Sequence, residues 1–280
     1  MNGRVKVAVA MLIWGSVGIF GRLSGLSGLG VAFFRVSLGS LLLLPLLWKE
    51  LPALLKVVKE RSLPVLLLGI ALALNWVFLF TAFNYTTIAN AVLVYYTAPI
   101  FATLISWRFL GEKLTGKRTA LLGMAFVGLL IIFSGQKVSL ENRDFLGVLF
   151  AFTAAVFYAL IPNLGRFLKD VRGEELTFIQ LSVASLVLLP FVTIENAGKP
   201  VIWAVLTLVV VHTVLALFLY MEGLKEVEVN EVALLSYLDP LSAITYAFIV
   251  FREVPGLRTA IGGALILLAS ALDLVKARGS

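Results

Sequence analysis

The amino-acid sequence predicts an all-α integral membrane protein, with ten transmembrane helices arranged as two inverted five-helix repeats. Three observations carry that prediction. The 280 residues are 60% hydrophobic and only 14% charged, where a water-soluble domain averages about 45–50% apolar and about 25% charged. The apolar residues are gathered into ten runs, each near the length of a bilayer crossing. The second half of the chain also repeats the first in register.

A helix rising 1.5 Å per residue needs about 20 apolar residues to cross a hydrocarbon layer of about 30 Å. Runs of that kind fall at 5–22, 29–48, 63–82, 88–110, 118–135, 145–166, 175–194, 200–222, 230–251 and 257–275. The short connections hold most of the Gly, Pro and charged residues. In lipid every backbone polar group needs an internal partner, so runs of this length are helices; barrel strands alternate in pieces of about ten residues. The first run follows Arg4 and Lys6 and could pass for a signal peptide. Its recurrence in the second half favours a membrane helix.

Lys and Arg set the expected orientation. With the N-terminus inside, the inner segments hold sixteen of them and the outer segments six: Arg22, Lys137, Arg143, Lys199, Arg252 and Arg258. Positive charge concentrates on the cytoplasmic side of membrane proteins, so both termini are expected in the cytoplasm of a cell membrane. The same scatter argues against nucleic acid as a partner despite the net charge of +7, since phosphate binding needs a continuous basic face. Absent cysteine excludes disulfides, thiol catalysis and Cys-based metal sites.

The repeat is seen by setting Pro99 over Pro240, which brings Tyr96 onto Tyr237 and Glu112 onto Glu253. A slip of one residue then puts Arg118-Thr119-Ala120 over Arg258-Thr259-Ala260. Upstream, Pro45 falls on Pro190, Ser37 on Ser182, Ser40 on Ser185 and Gly21-Arg22 on Gly165-Arg166. Residues 1–138 and 139–280 are the two expected repeats. Five is odd, so the second copy enters the membrane upside down, the arrangement of many secondary carriers.

The stretch from Ala98-Pro99-Ile100-Phe101 to Leu110-Gly111-Glu112-Lys113-Leu114 resembles the repeat of EamA-type proteins of the drug/metabolite transporter superfamily. Its echo runs from Leu238-Asp239-Pro240-Leu241 to Phe251-Arg252-Glu253, and Arg35 on the second helix extends the likeness. The resemblance implies a carrier with a cavity between its halves, exporting amino acids or other metabolites, with relatives that move drugs, nucleotide sugars or sugar phosphates. No H-E-x-x-H or nucleophile-elbow motif appears, which argues against an enzyme, and no cofactor is expected; the alternative to a carrier is a non-transporting membrane sensor or an enzyme acting on lipids. The partners are a small-molecule solute and the lipid bilayer. One departure is Arg252-Glu253, where Gly-Glu is usual, which raises the expectation of a differently shaped outer end on the ninth helix.

Charges inside the bilayer cost about 2.5–3.5 kcal/mol each near a helix centre, and are functional candidates by default. Arg35, in the outer third of the second helix, and Asp239, expected near the middle of the ninth, are the two, with neutral repeat partners Gln180 and Ala98. Arg35 could hold a substrate carboxylate or phosphate, and Asp239 an amine or a coupling proton; alternatively the two pair with each other, or each bonds a carbonyl freed by a proline. Pro99 and Pro240 are expected as hinges within the fourth and ninth helices, because each removes a helical hydrogen bond. Trp14, Trp76, Tyr95, Tyr96, Tyr158 and Tyr237 lie in apolar spans, where their polar tips need partners that lipid does not supply. They suit either a wet cavity or helix packing. Asn75 and Gln180 add neutral hydrogen-bonding groups, and His212, the one histidine, is either a packed core residue or a proton relay. A lone histidine makes no metal site.

Glu112 and Glu253 suit the positive N-terminal ends of the fifth and tenth helices. Gly15, Gly18, Gly123, Gly262 and Gly263 suit close helix contact. Gly111 to Arg118 nearly spells a phosphate-binding loop, but Arg118 stands where magnesium needs a hydroxyl, and a membrane helix precedes it. Transport must then draw on a gradient.

Overall fold

The computed structural model describes residues 2–111, 115–134, 139–168, 170–193, 197–224, 226–227 and 235–275. Among these the chain is helical almost throughout and has no strand, only an isolated antiparallel bridge between Leu26 and Gly198. The helices are α1 (Gly3–Gly15), α2 (Val17–Leu23), α3 (Gly28–Leu47), α4 (Leu51–Glu60), α5 (Ser62–Tyr85), α6 (Ile88–Tyr95) and α7 (Ala98–Leu110). They continue with α8 (Gly116–Ser134), α9 (Arg143–Gly165), α10 (Gly173–Leu188), α11 (Ile202–Val209), a π turn (Val210–Leu215), α12 (Ala216–Leu224), α13 (Leu238–Phe251) and α14 (Leu257–Val275).

Seven helical spans are long and apolar enough to cross a membrane, and three shorter apolar helices, Thr119–Ser134, Leu238–Phe251 and Leu257–Ala269, bring the described spans to ten. Large apolar side chains point outward along them, among them Leu46, Phe109 and Phe248. A contiguous apolar exterior on this scale belongs against lipid rather than water.

The helices pack as equivalents of two halves. Helix α3 packs on α10, α6 on α13, and α8 on α14, while α5 packs on α9 as α1 packs on α12. The equivalent helices α3 and α10 run antiparallel: Ser37 hydrogen-bonds Ser185 at 2.7 Å, and further along α3, Gly39 faces Leu181 further back along α10. That reversal is the inversion of the second half. Small residues let the backbones approach. A Cβ on Gly262 would lie 2.4 Å from the carbonyl oxygen of Gly128, and one on Gly15 would lie 1.9 Å from Ser242 Oγ. Gly18 also lies close against Ile88 and Phe83, and Gly263 against Leu93, but Gly123 faces open space, so its expected packing role falls away.

Two features depart from the expected layout. The second connection is not a simple loop: Pro52 starts α4, a short amphipathic helix burying Leu54 and exposing Lys56 and Lys59. Such a helix suits the interfacial layer, with apolar residues down and charges in water. The first and fourth spans are also broken rather than continuous, at Ser16 and at Tyr96-Thr97, and in the ninth Ser236-Tyr237 form a turn immediately before α13.

Candidate functional site

The breaks make the site. Between α6 and α7 the chain leaves the helix for two residues, held by the Thr97 hydroxyl donating to the Val94 carbonyl at 2.7 Å. Pro99 is then the second residue of α7, where a missing N–H costs nothing because the first turn has no partner for it. Pro240 is likewise the third residue of α13, and Asp239 the second. Neither proline sits in a helix interior, and Asp239 is at a helix start rather than mid-helix. That corrects the expected positions, because the chain breaks before each proline instead of kinking at it. A carboxylate in the first turn also faces the positive end of the helix dipole.

Around these breaks lies a cavity of about 670 Å³ between the halves. It is lined by Trp14, Arg35, Trp76, Tyr95, Tyr96, Pro99, Tyr158, Gln180, His212, Tyr237 and Asp239 from the expected set. Two of that set stand apart. Asn75 is wholly buried behind the wall, donating to the Ala154 carbonyl at 2.9 Å and to the Tyr95 hydroxyl at 3.2 Å. Pro240 is buried and does not line the cavity.

The two charges face the same space without pairing. The Tyr96 hydroxyl donates to Asp239 Oδ2 at 2.9 Å, and among the described residues Asp239 has no ion pair. The Arg35 guanidinium lies over the Trp76 ring at 3.9 Å and Phe80 at 5.3 Å. Its Nε donates to Thr213 Oγ1 at 3.1 Å, and no described carboxylate lies within ion-pair distance of it. Stacking leaves the guanidinium edge, with its fork of N–H donors, for an acceptor. Gln180 adds a buried Nε2 with no hydrogen-bond partner. The walls are aromatic: Tyr95 meets Tyr158 at 5.3 Å and Trp14 meets Tyr220 at 5.3 Å.

Sequence reasoning missed Ser16, Thr213 and Tyr220. Thr213 lies on the π turn, where one extra residue per turn swings it and His212 inward. Both close i to i−5 bonds there, Thr213 Oγ1 donating to the Leu208 carbonyl at 2.9 Å and His212 Nδ1 to the Thr207 carbonyl at 3.1 Å. π turns often occur at functional sites, but nothing in the local sequence announces this one.

The cavity extends toward the face that carries the N-terminus: Thr177, early in α10, Leu121, early in α8, and Ser236 all line it. The opposite face is closed. Arg22 pairs with Glu253 and donates to the carbonyls of Phe83 and Thr86, and Glu253 Oε2 accepts the Ile88 N–H at 2.8 Å. The connection after α2 is strapped to the one before α11, with Ser27 N–H on the Ala197 carbonyl and Val201 N–H on the Ser24 carbonyl. Glu253 therefore caps α6, not the tenth helix as expected. Glu112 and the Lys113-Leu114 that follow it lie outside the described residues. On the N-terminal face Lys6 pairs with Glu226 at 2.5 Å, and that hydrogen bond holds the Glu226 carboxyl below its usual range. The pair is therefore kept until the solution is more acidic than an ordinary glutamate requires.

Ten apolar helical spans around a two-charge aromatic cavity define a membrane transporter. The chain belongs to the EamA-like transporter family, whose model matches it twice, over residues 1–134 and 145–274. It is 27% identical over 281 residues to a Bacillus subtilis (strain 168) protein named the uncharacterized transporter YxxF, covering 98% of this chain and 90% of that one. An uncharacterized transporter of Archaeoglobus fulgidus is 28% identical over 289 residues, covering 99% of each chain. The pseudopaline exporter CntI of Pseudomonas aeruginosa (strain UCBPP-PA14) is 27% identical over 245 residues, 85% of this chain and 83% of its own. A crystal structure superposes with a TM-score of 0.66 over 99% of this chain and 98% of that one, at 23% identity, a likeness of fold.

Proposed function

We propose that this transporter is a secondary carrier of small zwitterionic solutes, amino acids above all, moved outward by alternating access. The observation that carries the reading is the pair of unpaired, opposite charges facing one cavity. An α-amino acid offers a carboxylate to the Arg35 fork and an ammonium to Asp239, and each contact removes the burial penalty of a lone charge. The aromatic walls favour an apolar or aromatic side chain. A single basic group serves a phosphate ester or nucleotide sugar poorly, since these carry more charge than Arg35 alone neutralises. An outward direction is supported by the relative named as an exporter.

In this reading the halves 1–138 and 139–280 rock about the broken spans, with Pro99 and Pro240 marking the points of flexure. The protein sits in the cell membrane with both termini cytoplasmic, so the cavity faces the cytoplasm and the Arg22–Glu253 closure faces out. The test is counterflow in proteoliposomes preloaded with one unlabelled solute and probed with its trace label. Aromatic, branched and small amino acids are tried first, then nucleosides and sugar phosphates. A transient overshoot for amino acids alone is expected. An overshoot for sugar phosphates or nucleosides, with none for amino acids, would overturn the substrate class.

A further inference from the structure

We infer that His212 and Ser16 form a proton-binding site whose occupancy rises with that of an anion at Arg35, so that the solute carboxylate and a proton bind together. The inference rests on the zwitterion reading and goes beyond it, by naming a second ligand and the atoms that hold it.

The hydrogen bonds of the imidazole fix the argument. Nδ1 lies 3.1 Å from the Thr207 carbonyl, which can only accept, so Nδ1 carries a proton. Nε2 lies 2.8 Å from Ser16 Oγ, and Ser16 Oγ lies 2.8 Å from the Ile13 carbonyl. The serine has one hydroxyl proton for two acceptors. With a neutral ring it must choose Nε2 or Ile13, and one contact goes unmade. With a second proton on the ring, Nε2–H donates to Ser16 Oγ and the hydroxyl donates to the Ile13 carbonyl, so every contact is made. The geometry is therefore complete only for the cation. Ser16 is also the break between α1 and α2, and the Trp14 Nε1–H donates to the His212 carbonyl at 2.8 Å, so the proton sits where helix one meets the π turn.

Arg35 opposes that proton. Its Nε is bonded to Thr213, the residue after His212, and His212 is itself 1% exposed. Two neighbouring cations in a site of low polarity repel, and an anion on Arg35 removes the repulsion. The groups facing the site from the packed elements are few: α3 brings Arg35, α12 brings Tyr220 against Trp14, and α13 brings Asp239, whose carbonyl abuts Gly15. At this level α1 and α11 bring only neutral groups. The proton is taken from water on one side and released to water on the other together with the solute, so an amino acid leaving down its own gradient carries a proton out with it.

Asp239 makes the opposite prediction, which separates the two groups. A proton on Asp239 competes with the solute ammonium, so it would weaken binding in acid, whereas a proton on His212 strengthens it. Because the chain has one histidine, protein labelled with ¹⁵N-histidine and purified without a histidine tag gives one imidazole to observe. Its ¹⁵N shifts are followed against pH in nanodiscs, alone, with L-phenylalanine, and with L-phenylalaninamide, which lacks the carboxylate. The neutral ring is expected as the Nδ1–H tautomer. Arg35→Gln is expected to raise the midpoint by about one pH unit without any solute, and Ser16→Ala to lower it. In wild type, L-phenylalanine is expected to raise it and the amide to leave it unmoved. A neutral ring protonated on Nε2, or a midpoint unmoved by Arg35→Gln in folded protein, overturns the inference even where counterflow succeeds. If amino acids give no counterflow, the solute arm lapses with the zwitterion reading, and the tautomer and the Arg35→Gln midpoint still decide this one.

Discussion

Arg252 is the one residue other than glycine with a positive φ among those described, at φ 57° and ψ 27°. It ends α13 in the left-handed conformation that Gly111 adopts at the end of α7, at φ 70° and ψ 17°. The departure from Gly-Glu in the second repeat therefore leaves the shape of the helix end unchanged, contrary to expectation, and costs conformational energy instead. An L-residue there is disfavoured by about 1–2 kcal/mol. Arg252→Gly is expected to raise the thermal unfolding midpoint of the detergent-solubilised protein, by about 1 kcal/mol of added stability. Arg252→Ala, which keeps the Cβ, gives no such gain. A midpoint for the glycine variant at or below wild type would show that Arg252 contributes a contact larger than its strain.

The element scale is where sequence and structure part company. The ten spans were legible because burial in lipid demands long apolar runs, and no competing solution satisfies the backbone. The repeat was legible through Pro99 and Pro240, yet their true setting was not. A proline looks the same in sequence whether it kinks a helix or begins one, and only the two-residue turns at Tyr96-Thr97 and Ser236-Tyr237 separate the cases. The π turn at 210–215 left no local signal either, so His212 was visible as a candidate while Thr213 and Ser16 were not. Glu253 reads in sequence as a cap for the nearest helix, whereas its partners Arg22 and Ile88 are far away in the chain. Those partners bind the ends of α2, α5, α6 and α13 into one closure. With no native cysteine to interfere, the closure can be tested through Leu79→Cys, a position lining the cavity. An impermeant thiol reagent added at the face opposite the N-terminus is expected to label it several-fold faster when Glu253 is also changed to Gln. Equal rates would mean that the closed face does not depend on this pair.

For the whole molecule, inversion is what the proposed carrier mechanism rests on. Two copies of one pattern, entering the membrane in opposite senses, can exchange conformations at similar energy. The structure is closed by Arg22 and Glu253 and hollow toward the N-terminal face, which in the proposed mechanism is one of the two conformations. The polar and aromatic part of the cavity wall could be named from the sequence, because charges and tyrosines inside apolar runs need partners that lipid does not supply, whereas its aliphatic residues carry no such signal. Asn75, a polar group in the same apolar runs, stands one layer back instead, hydrogen-bonded to Tyr95, and Pro240 is buried outside the lining.

In the proposed function one solute bridges Arg35 and Asp239 by its two opposite charges. Competition in counterflow tests it directly, with unlabelled L-phenylalanine inside wild-type proteoliposomes and, outside, trace-labelled L-phenylalanine together with one of three competitors: unlabelled L-phenylalanine, its amide, or 3-phenylpropionate. Only the first carries both charges. It alone is expected to compete fully, with each single-charge analogue weaker by at least about tenfold, the loss of one charge-assisted contact of about 1.5–3 kcal/mol. If the amide or the deaminated acid competes as well as phenylalanine, one of the two charges does not bind the solute, and the account of the cavity is wrong.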